Sequence, residues 1–466
     1  MEKLILKGGR LYDFGLRIDE IGDLMIENGR IVRVGGEIVL DGLALPDGDW
    51  TDYACEGAQA YNCAGKIVSP GFIDLHVHLR EPGGEAKETI ETGTLAAVRG
   101  GFTSVCAMPN TNPPIADKTS VAFVQARADE TARCRVFPVG ALTRARAGDA
   151  IAPFPAMIAR GVTLFSDDGA DVTDAGVFFA AMQALSAYPA TVCIHAEDTS
   201  LSQSGVMHEG AVSARLGYVG APSVSETVAV ARAILLADAA GVPLHVCHVS
   251  AAGTVELIRY AKAKGQPVTA EVTPQHLLLT DEAVEKYGAI AKVNPPLRGE
   301  ADRLALVAAL ADGTIDLIAT DHAPHTADDK ELGMERSTSG IVGLETCAGL
   351  IWKHLVMANK LPMQRFFDAL TTRPAYVLTA NQTPRGGKML PELTAHGKAF
   401  HEMVSAGVGV LEEGAVGDIV VFDPDVEWTV DQASFATKAK FTPFEGWAAQ
   451  GKAVITLVNG EVRYRE

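Results

Sequence analysis

Basic residues are in short supply in this chain of 466 residues: 40 Lys and Arg stand against 58 Asp and Glu, a net charge of −18. The deficit excludes nucleic acid or an anionic membrane as the main partner, because both need a basic footprint. Any anionic substrate must therefore be met by a locally placed Arg or Lys. Cysteine is sparse as well, with seven residues and no Cys-x-x-Cys spacing. An odd, scattered set of thiols argues against a disulfide framework. It fits small buried hydrophobes in a reducing, cytoplasmic setting. Long apolar runs are missing. Residues 1–10 hold no signal-peptide core, and the most apolar helical stretch, 228–244, is broken by Arg232, Asp238 and Pro243, so no membrane span is expected. No solenoid repeat is visible, and no Gly-x-Gly-x-x-Gly follows an early strand.

What is present is core material: 47% of residues are hydrophobic and 21% charged, which excludes disorder as the default. The length suits two or three domain-sized units, or one barrel of roughly 250 residues with a smaller satellite. The two ends read alike. Residues 23–34 alternate in polarity around Asn28-Gly29, and residues 453–464 do so around Asn459-Gly460. Asn-Gly accepts the positive φ angles of a tight turn, so both segments read as β-hairpins. With a further strand at 418–423, they are assigned to one small β-sandwich domain built from residues 1–66 and 381–466.

Between them, short apolar runs alternate with helical patterns, the signature of βα units around a parallel sheet. Strands are expected at 73–78, 103–108, 135–140, 164–166, 191–195, 243–248, 268–272 and 317–320, with helices such as 88–99, 224–239 and 302–311 between them. Eight such units point to an α/β fold, a (β/α)8 barrel of the TIM type over residues 67–380, with a doubly wound sheet as runner-up. The stretch 383–409 is expected to be an irregular insertion or extended connection, and 43–62 and 387–409 are expected to be surface elaborations outside the site.

Polar residues gather at the carboxyl ends of these strands. The first ends Asp74-Leu-His76-Val-His78, and residues two apart on a strand point to one side. The others run into Asp167-Asp168, His195, His248 and Asp321. Any one histidine here is more often a hydrogen-bonded core residue than a ligand. His245, three before His248, is expected to face away and pack under a helix, and His208, His354, His396 and His401 fit no constellation. The ordered series is another matter: four imidazoles and two carboxylates on the face where barrel active sites are built suit a borderline cation such as Zn²⁺. Spacing alone does not choose between Asp167 and Asp168.

The run Ser69-Pro-Gly-Phe-Ile-Asp-Leu-His-Val-His-Leu-Arg-Glu-Pro-Gly-Gly84 closely resembles the signature of the dihydroorotase family in the amidohydrolase superfamily. Ala107-Met-Pro-Asn110-Thr, Phe165-Ser-Asp-Asp-Gly169, Val192-Cys-Ile-His-Ala-Glu-Asp198, His245-Val-Cys-His-Val-Ser250, Val293-Asn-Pro-Pro-Leu-Arg298 and Ala319-Thr-Asp-His-Ala-Pro-His325 extend the likeness in order, toward the class I, bacterial type.

The resemblance implies the reversible, metal-dependent cyclisation of N-carbamoyl-L-aspartate to (S)-dihydroorotate in pyrimidine synthesis. It implies one or two zinc ions. His76, His78 and Asp321 would hold the first and His195 and His248 the second, with Asp168 bridging where many superfamily members use a carboxylated lysine. It implies a metal-bridging hydroxide as nucleophile and Asp321 as general base and then acid. Arg80, Asn110 and His325 would hold the substrate carboxylate, Asn294 would lie near the ring, and His78, Ser339 and Gly340 would also touch substrate. Relatives usually carry an apolar or aromatic residue before that glycine, whereas this chain reads Ser337-Thr-Ser339-Gly340. The polar segment 326–339 would lie beside the substrate, poised to close over it. A homodimer is the expected assembly, with association with aspartate carbamoyltransferase left open. Hydantoinases and allantoinases share the His-x-His, but they generally carry the bridging lysine and lack the Arg80–Asn110 pair. A non-catalytic scaffold would be expected to have lost ligands, and all six stand here.

Overall fold

A computed structural model describes residues 3–39, 52–55, 58–379 and 391–466. Both Asn-Gly pairs make the turns expected of them. Asn28 and Gly29 take φ of 54° and 76°, and Asn459 and Gly460 take 54° and 75°, the positive values a two-residue hairpin needs. Strand Ile18–Glu27 thereby folds onto Arg30–Val34, and Ala448–Val458 onto Glu461–Arg465. The two hairpin tips touch: a Cβ on Gly29 would lie 2.9 Å from the Asn459 carbonyl, so glycine is needed there for close approach as well as for the turn.

All these strands belong to one nine-stranded sheet containing both ends of the chain. Its middle is the antiparallel pairing of Ile419–Thr429 with Ile67–Pro70, which in turn lies parallel to Lys3–Asp13. Ile67–Pro70, placed by the sequence at the head of the central unit, is thus hydrogen-bonded into the terminal sheet. Leu6, Leu11, Leu24, Ile26, Val68, Ile419, Val421 and Leu457 form its core. Of the stretch 43–62, residues 43–51 and 56–57 lie outside the described residues, and Asp52–Cys55 pairs antiparallel with Ala58–Asn62, which runs parallel to Lys3–Asp13 in the terminal sheet.

In the centre, Phe72–Val77, Phe102–Ala107 and Arg135–Pro138 pair in parallel. Leu164–Phe165, Thr191–Ile194, Leu244–Val246, Val268–Val272 and Leu317–Ile318 do the same. Parallel bridges Gly140↔Phe165 and Val77↔His322 join the two groups at both edges, so the pairing runs through eight strands and returns to the first. Each strand lies within a few residues of its expected position, and the crossovers include helices Ile90–Arg99, Lys118–Thr131, Val224–Ala240, Ala252–Ala263 and Glu300–Asp312. Side-chain oxygens cap the first two: Thr89 and Asp117 accept from main-chain N–H groups of their first turns. Among the described residues no helix is long and apolar enough to cross a membrane. The six cysteines with described side chains are free and buried.

The period-2 rule sorts the strand side chains into two layers. Val105, Val192, Val246, Ala270 and Ile318 join the helices in the largest core. Ile73, Leu75, Cys106, Val139, Cys193 and Leu317 form a second core together with Phe400 and Met403. Those two come from helix Ala395–Ala406, a correction to the irregular stretch expected at 383–409. Its residues 383–390 lie outside the described set. Phe72, Phe366, Phe367 and Phe422 pack edge-on or tilted, with Trp352 5.1 Å from Phe422. This aromatic knot joins the central strands to Ile419–Thr429 of the terminal sheet.

Candidate active site

The six expected donors come from five strand ends and meet in one buried cluster. His76 is the penultimate residue of strand Phe72–Val77, and His78 follows the strand. Asp168, His195, His248 and Asp321 lie just beyond their strands, where the chain turns away from the sheet. Three residues here have left-handed backbone, His248 at φ 32°, Asp321 at 48° and Arg80 at 61°, a strain that functional sites retain only when surrounding structure enforces it.

The donor atoms face one another. His76 Nε2 is 3.3 Å from Asp168 Oδ1 and 3.5 Å from Asp321 Oδ1, and His78 Nε2 is 3.0 Å from Asp321 Oδ1 and 3.6 Å from Asp168 Oδ2. His195 Nδ1 and His248 Nε2 lie 3.8 and 3.7 Å from Asp168 Oδ1 and 3.0 Å from each other. Bonds of roughly 2.0–2.2 Å in a tetrahedron put ligand atoms about 3.4 Å apart, so these separations are polyhedron edges. His76 Nε2 and Asp168 Oδ1 are buried with no hydrogen-bond partner, an expensive arrangement unless a cation satisfies both. His76, His78 and Asp321 form one candidate cation group and His76, Asp168 and His248 another. The residues present therefore fit one or two divalent cations.

The carboxylate choice left open by spacing is resolved by hydrogen bonds. Asp167 accepts from the Leu142 and Thr143 N–H groups at 2.8 and 3.1 Å and from the Thr143 hydroxyl, which turns it away from the cluster. Burial pushes the Asp168 carboxyl up, but His76, His248 and His78 overcome this and hold it well below the usual carboxylate range. Asp321 is likewise held low against burial, chiefly by His78.

A further carboxylate escaped sequence reasoning. Glu271, fully buried in strand Val268–Val272, accepts from His76 Nδ1 at 2.7 Å, His245 Nε2 at 3.0 Å and the His248 N–H at 3.2 Å. A lone acid inside an apolar strand was the available signal. This corrects the placement of His245: it faces Glu271 on the His76 side, with Nδ1 at 2.9 Å from Thr269 Oγ1, instead of packing beneath a helix. Glu197 does the corresponding work on His195, with its Oε2 3.4 Å from Nε2.

The expected substrate residues divide into two sets. Asn110 Oδ1 meets His78 Nδ1 at 2.8 Å while its amide N–H points to Asp168 at 3.3 Å, and Asn294 Nδ2 lies 2.9 Å from Glu197 and 3.1 Å from His195 Nε2. Both asparagines brace the donor cluster. Arg80 lies apart with His325: its Nε donates to the Pro324 carbonyl, and Nη2 is 3.2 Å from His325 Nε2. His325 Nε2–H donates to the Ser339 carbonyl at 2.8 Å, leaving Nδ1 to accept from Lys87 Nζ at 3.3 Å. Burial and then the charges of Arg80, Lys87 and Lys330 bring His325 down to about 3, so it is neutral. Arg80, lowered by burial to about 10, keeps its charge at neutral pH. Gly340 takes φ 147°, where a Cβ would lie 2.5 Å from the Ala323 carbonyl.

Known proteins share this architecture. The solved L-hydantoinase (dihydropyrimidinase) of Arthrobacter aurescens matches 100% of this chain and 96% of its own, at TM-score 0.83 and 24% identity. The D-hydantoinase of a Thermus species matches 99% and 95%, at TM-score 0.79 and 24% identity. At that identity the likeness speaks for the fold. Fold and donor set together define a class: a hydantoinase-type fold with a buried His/Asp centre fit for divalent cations. Sequence comparison narrows it. A Dihydro-orotase-like family profile matches residues 65–254. Curated proteins named dihydroorotase are 46% identical over 451 residues (Geobacillus kaustophilus, 96% of each chain) and 44% over 460 residues (Pelotomaculum thermopropionicum, 99% and 98%). The chain belongs to the dihydroorotase family.

Proposed function

We propose that this chain is a metal-dependent dihydroorotase of the class I, bacterial type, interconverting N-carbamoyl-L-aspartate and (S)-dihydroorotate. In this reading the eight parallel strands from Phe72 to Ile318 with their helices are a (β/α)8 barrel, and the terminal sheet, which takes in Ile67–Pro70, is the small β-sandwich unit built from both ends of the chain. Similarity over nearly the whole chain to proteins named dihydroorotase carries the reading, and the convergence of six donors around two orphaned polar atoms supports its chemistry. The His-rich donor set favours zinc.

His76, His78, Asp168, His195, His248 and Asp321 would hold the cations. When bound, these supply Lewis-acid polarisation of the scissile carbonyl and a water acidic enough to attack at neutral pH. Asp321, ionised because its neighbours hold its pKa low, takes the proton of the attacking water and delivers it to the ring nitrogen as the amide C–N bond breaks. Arg80 presents a planar fork to the substrate carboxylate, bidentate in a way Lys cannot copy. It supplies the local positive charge that an acidic protein needs for an acidic substrate. His325, neutral beside it, and the Ser339–Gly340 main chain complete that wall. Asn110 keeps His78 and Asp168 in register.

Metal analysis of the purified protein with a dihydroorotate hydrolysis assay tests this reading. Dihydroorotate turnover that is lost on chelation, restored by Zn²⁺ and abolished in Asp321→Asn with the fold intact is the expected result. Turnover of hydantoin or allantoin with none of dihydroorotate would replace the reading with another cyclic-amide hydrolase.

A further inference from the structure

Lys292 and Lys330 are buried lysines whose ammonium groups end on main-chain carbonyls. Lys330 Nζ donates to the carbonyls of Ala289, Lys292 and Thr338 at 3.2, 3.3 and 3.0 Å. Lys292 Nζ donates to those of Met334 and Ser337 at 2.6 and 2.8 Å. An –NH3⁺ group has three donors and no acceptor, so three converging carbonyls are the neutral environment that satisfies it fully. Burial, and then the neighbouring Lys292 charge, lower Lys330 to about 7. Burying two such amino groups costs them their hydration and opposes folding, which points to a role beyond filling space.

The carbonyls they gather lie on two pieces of chain: the turn Gly288–Ala291 with Lys292, which precedes Asn294, and the segment from Met334 to Thr338. The stitching continues through the main chain, because the Gly340 N–H donates to the Lys292 carbonyl at 2.9 Å. Between these anchors the Ser339 carbonyl receives His325 Nε2–H. On the outer side Lys87 Nζ pairs with Asp329 at 3.1 Å. The peptide that orients His325 beside Arg80 is therefore clamped on both flanks.

We propose that Lys292 and Lys330 are positioning residues for the substrate carboxylate: they pin the main chain from Ser337 to Gly340, so that segment 326–340 is a fixed wall of the site and not a closing lid. The proposal rests on the dihydroorotase reading for the identity of the ligand, and on the lysine–carbonyl geometry for the wall itself.

Lys330→Met and Lys292→Met keep side-chain length and remove the donors, and Lys330→Arg keeps charge and donors. Measurements are kcat and KM for dihydroorotate, turnover of dihydrouracil (the same ring without the carboxylate), metal content, and amide exchange of peptides covering 331–341. In each Met variant we expect KM for dihydroorotate to rise about tenfold or more, kcat to stay within about threefold and metal content to hold. Exchange at 331–341 should accelerate, and dihydrouracil turnover should change less than about twofold. Lys330→Arg should recover most of the KM. An unchanged KM, unchanged exchange in both Met variants, or equal losses on both substrates with metal released would each overturn the proposal. Wild-type protein inert toward dihydroorotate would refute the functional reading, while exchange at 331–341 would still decide whether the lysines fix the wall.

Discussion

Glu271→Gln isolates what the buried carboxylate behind the donor cluster does. Glu271 Oε1 accepts from His76 Nδ1 at 2.7 Å and Oε2 from His245 Nε2 at 3.0 Å. This fixes the His76 tautomer with Nε2 free, turned toward Asp168 and Asp321. Glutamine has the same shape and still fits: its carbonyl can accept from His76, and its amide can donate to His245 Nε2 once that imidazole moves its proton to Nδ1 and gives it to Thr269 Oγ1, 2.9 Å away. The fold is therefore expected to survive. The negative charge that makes His76 a stronger donor does not. Loss of such an outer partner weakens metal binding about 10- to 100-fold, or about 1.4–2.8 kcal/mol at roughly 1.4 kcal/mol per decade. The assay is competition for Zn²⁺ against a chromogenic chelator, with thermal melting of the metal-free protein as control. A weakened affinity with a little-changed apo melting curve is expected. Wild-type affinity in the variant would refute the claim that Glu271 tunes the centre, and a collapsed apo melting curve would make it a folding residue.

Arg80→Lys should lose most of kcat/KM for dihydroorotate and little for a cyclic amide without the carboxylate; equal losses would mean that Arg80 supports the fold or the metal. Phe422→Ala removes a fully buried ring from the aromatic knot between the two sheets, and urea unfolding should show a loss of about 3–5 kcal/mol. A loss below about 1 kcal/mol would show that the knot carries little of the joint. His325 is 7% exposed and falls from its ordinary 6.5 to about 3. Its folded pKa lies below its unfolded one, so its contribution to stability is complete above pH 6.5 and is lost as pH falls through that window, by at most about 1.4 kcal/mol per unit. His325→Gln should flatten the acid limb of urea-denaturation stability between pH 6.5 and 5 relative to wild type; parallel limbs would mean that His325 is not held neutral.

Local rules reached far into this molecule. Asn28-Gly29 and Asn459-Gly460 announce their hairpins because few dipeptides tolerate two positive φ angles in succession. The central strands are legible because short apolar runs end in polar residues, and the His-x-His pair is legible because strand side chains alternate. Even the two-residue strand Leu164–Phe165 is legible, because a short apolar run there leads into Ser166-Asp167-Asp168. The misses have a common cause. Helix Ala395–Ala406 carries only Gly397, Phe400 and Met403 as buried residues, too sparse an apolar stripe to distinguish it from a surface stretch without knowing that the strand ends need a cover.

Much of the site therefore belongs to short-range chemistry: which residues can ligate, and on which strand ends they sit, follow from residue type and a two-residue period. What lay beyond that reach are relations across hundreds of positions. Asp167 turns to the Thr143 loop and leaves Asp168 for the centre. Glu271 reaches back to His76, 195 residues earlier, and two lysines meet carbonyls on another segment. A hydrogen bond depends on distance and direction in space, and chain order carries neither until the eight strands have closed on themselves.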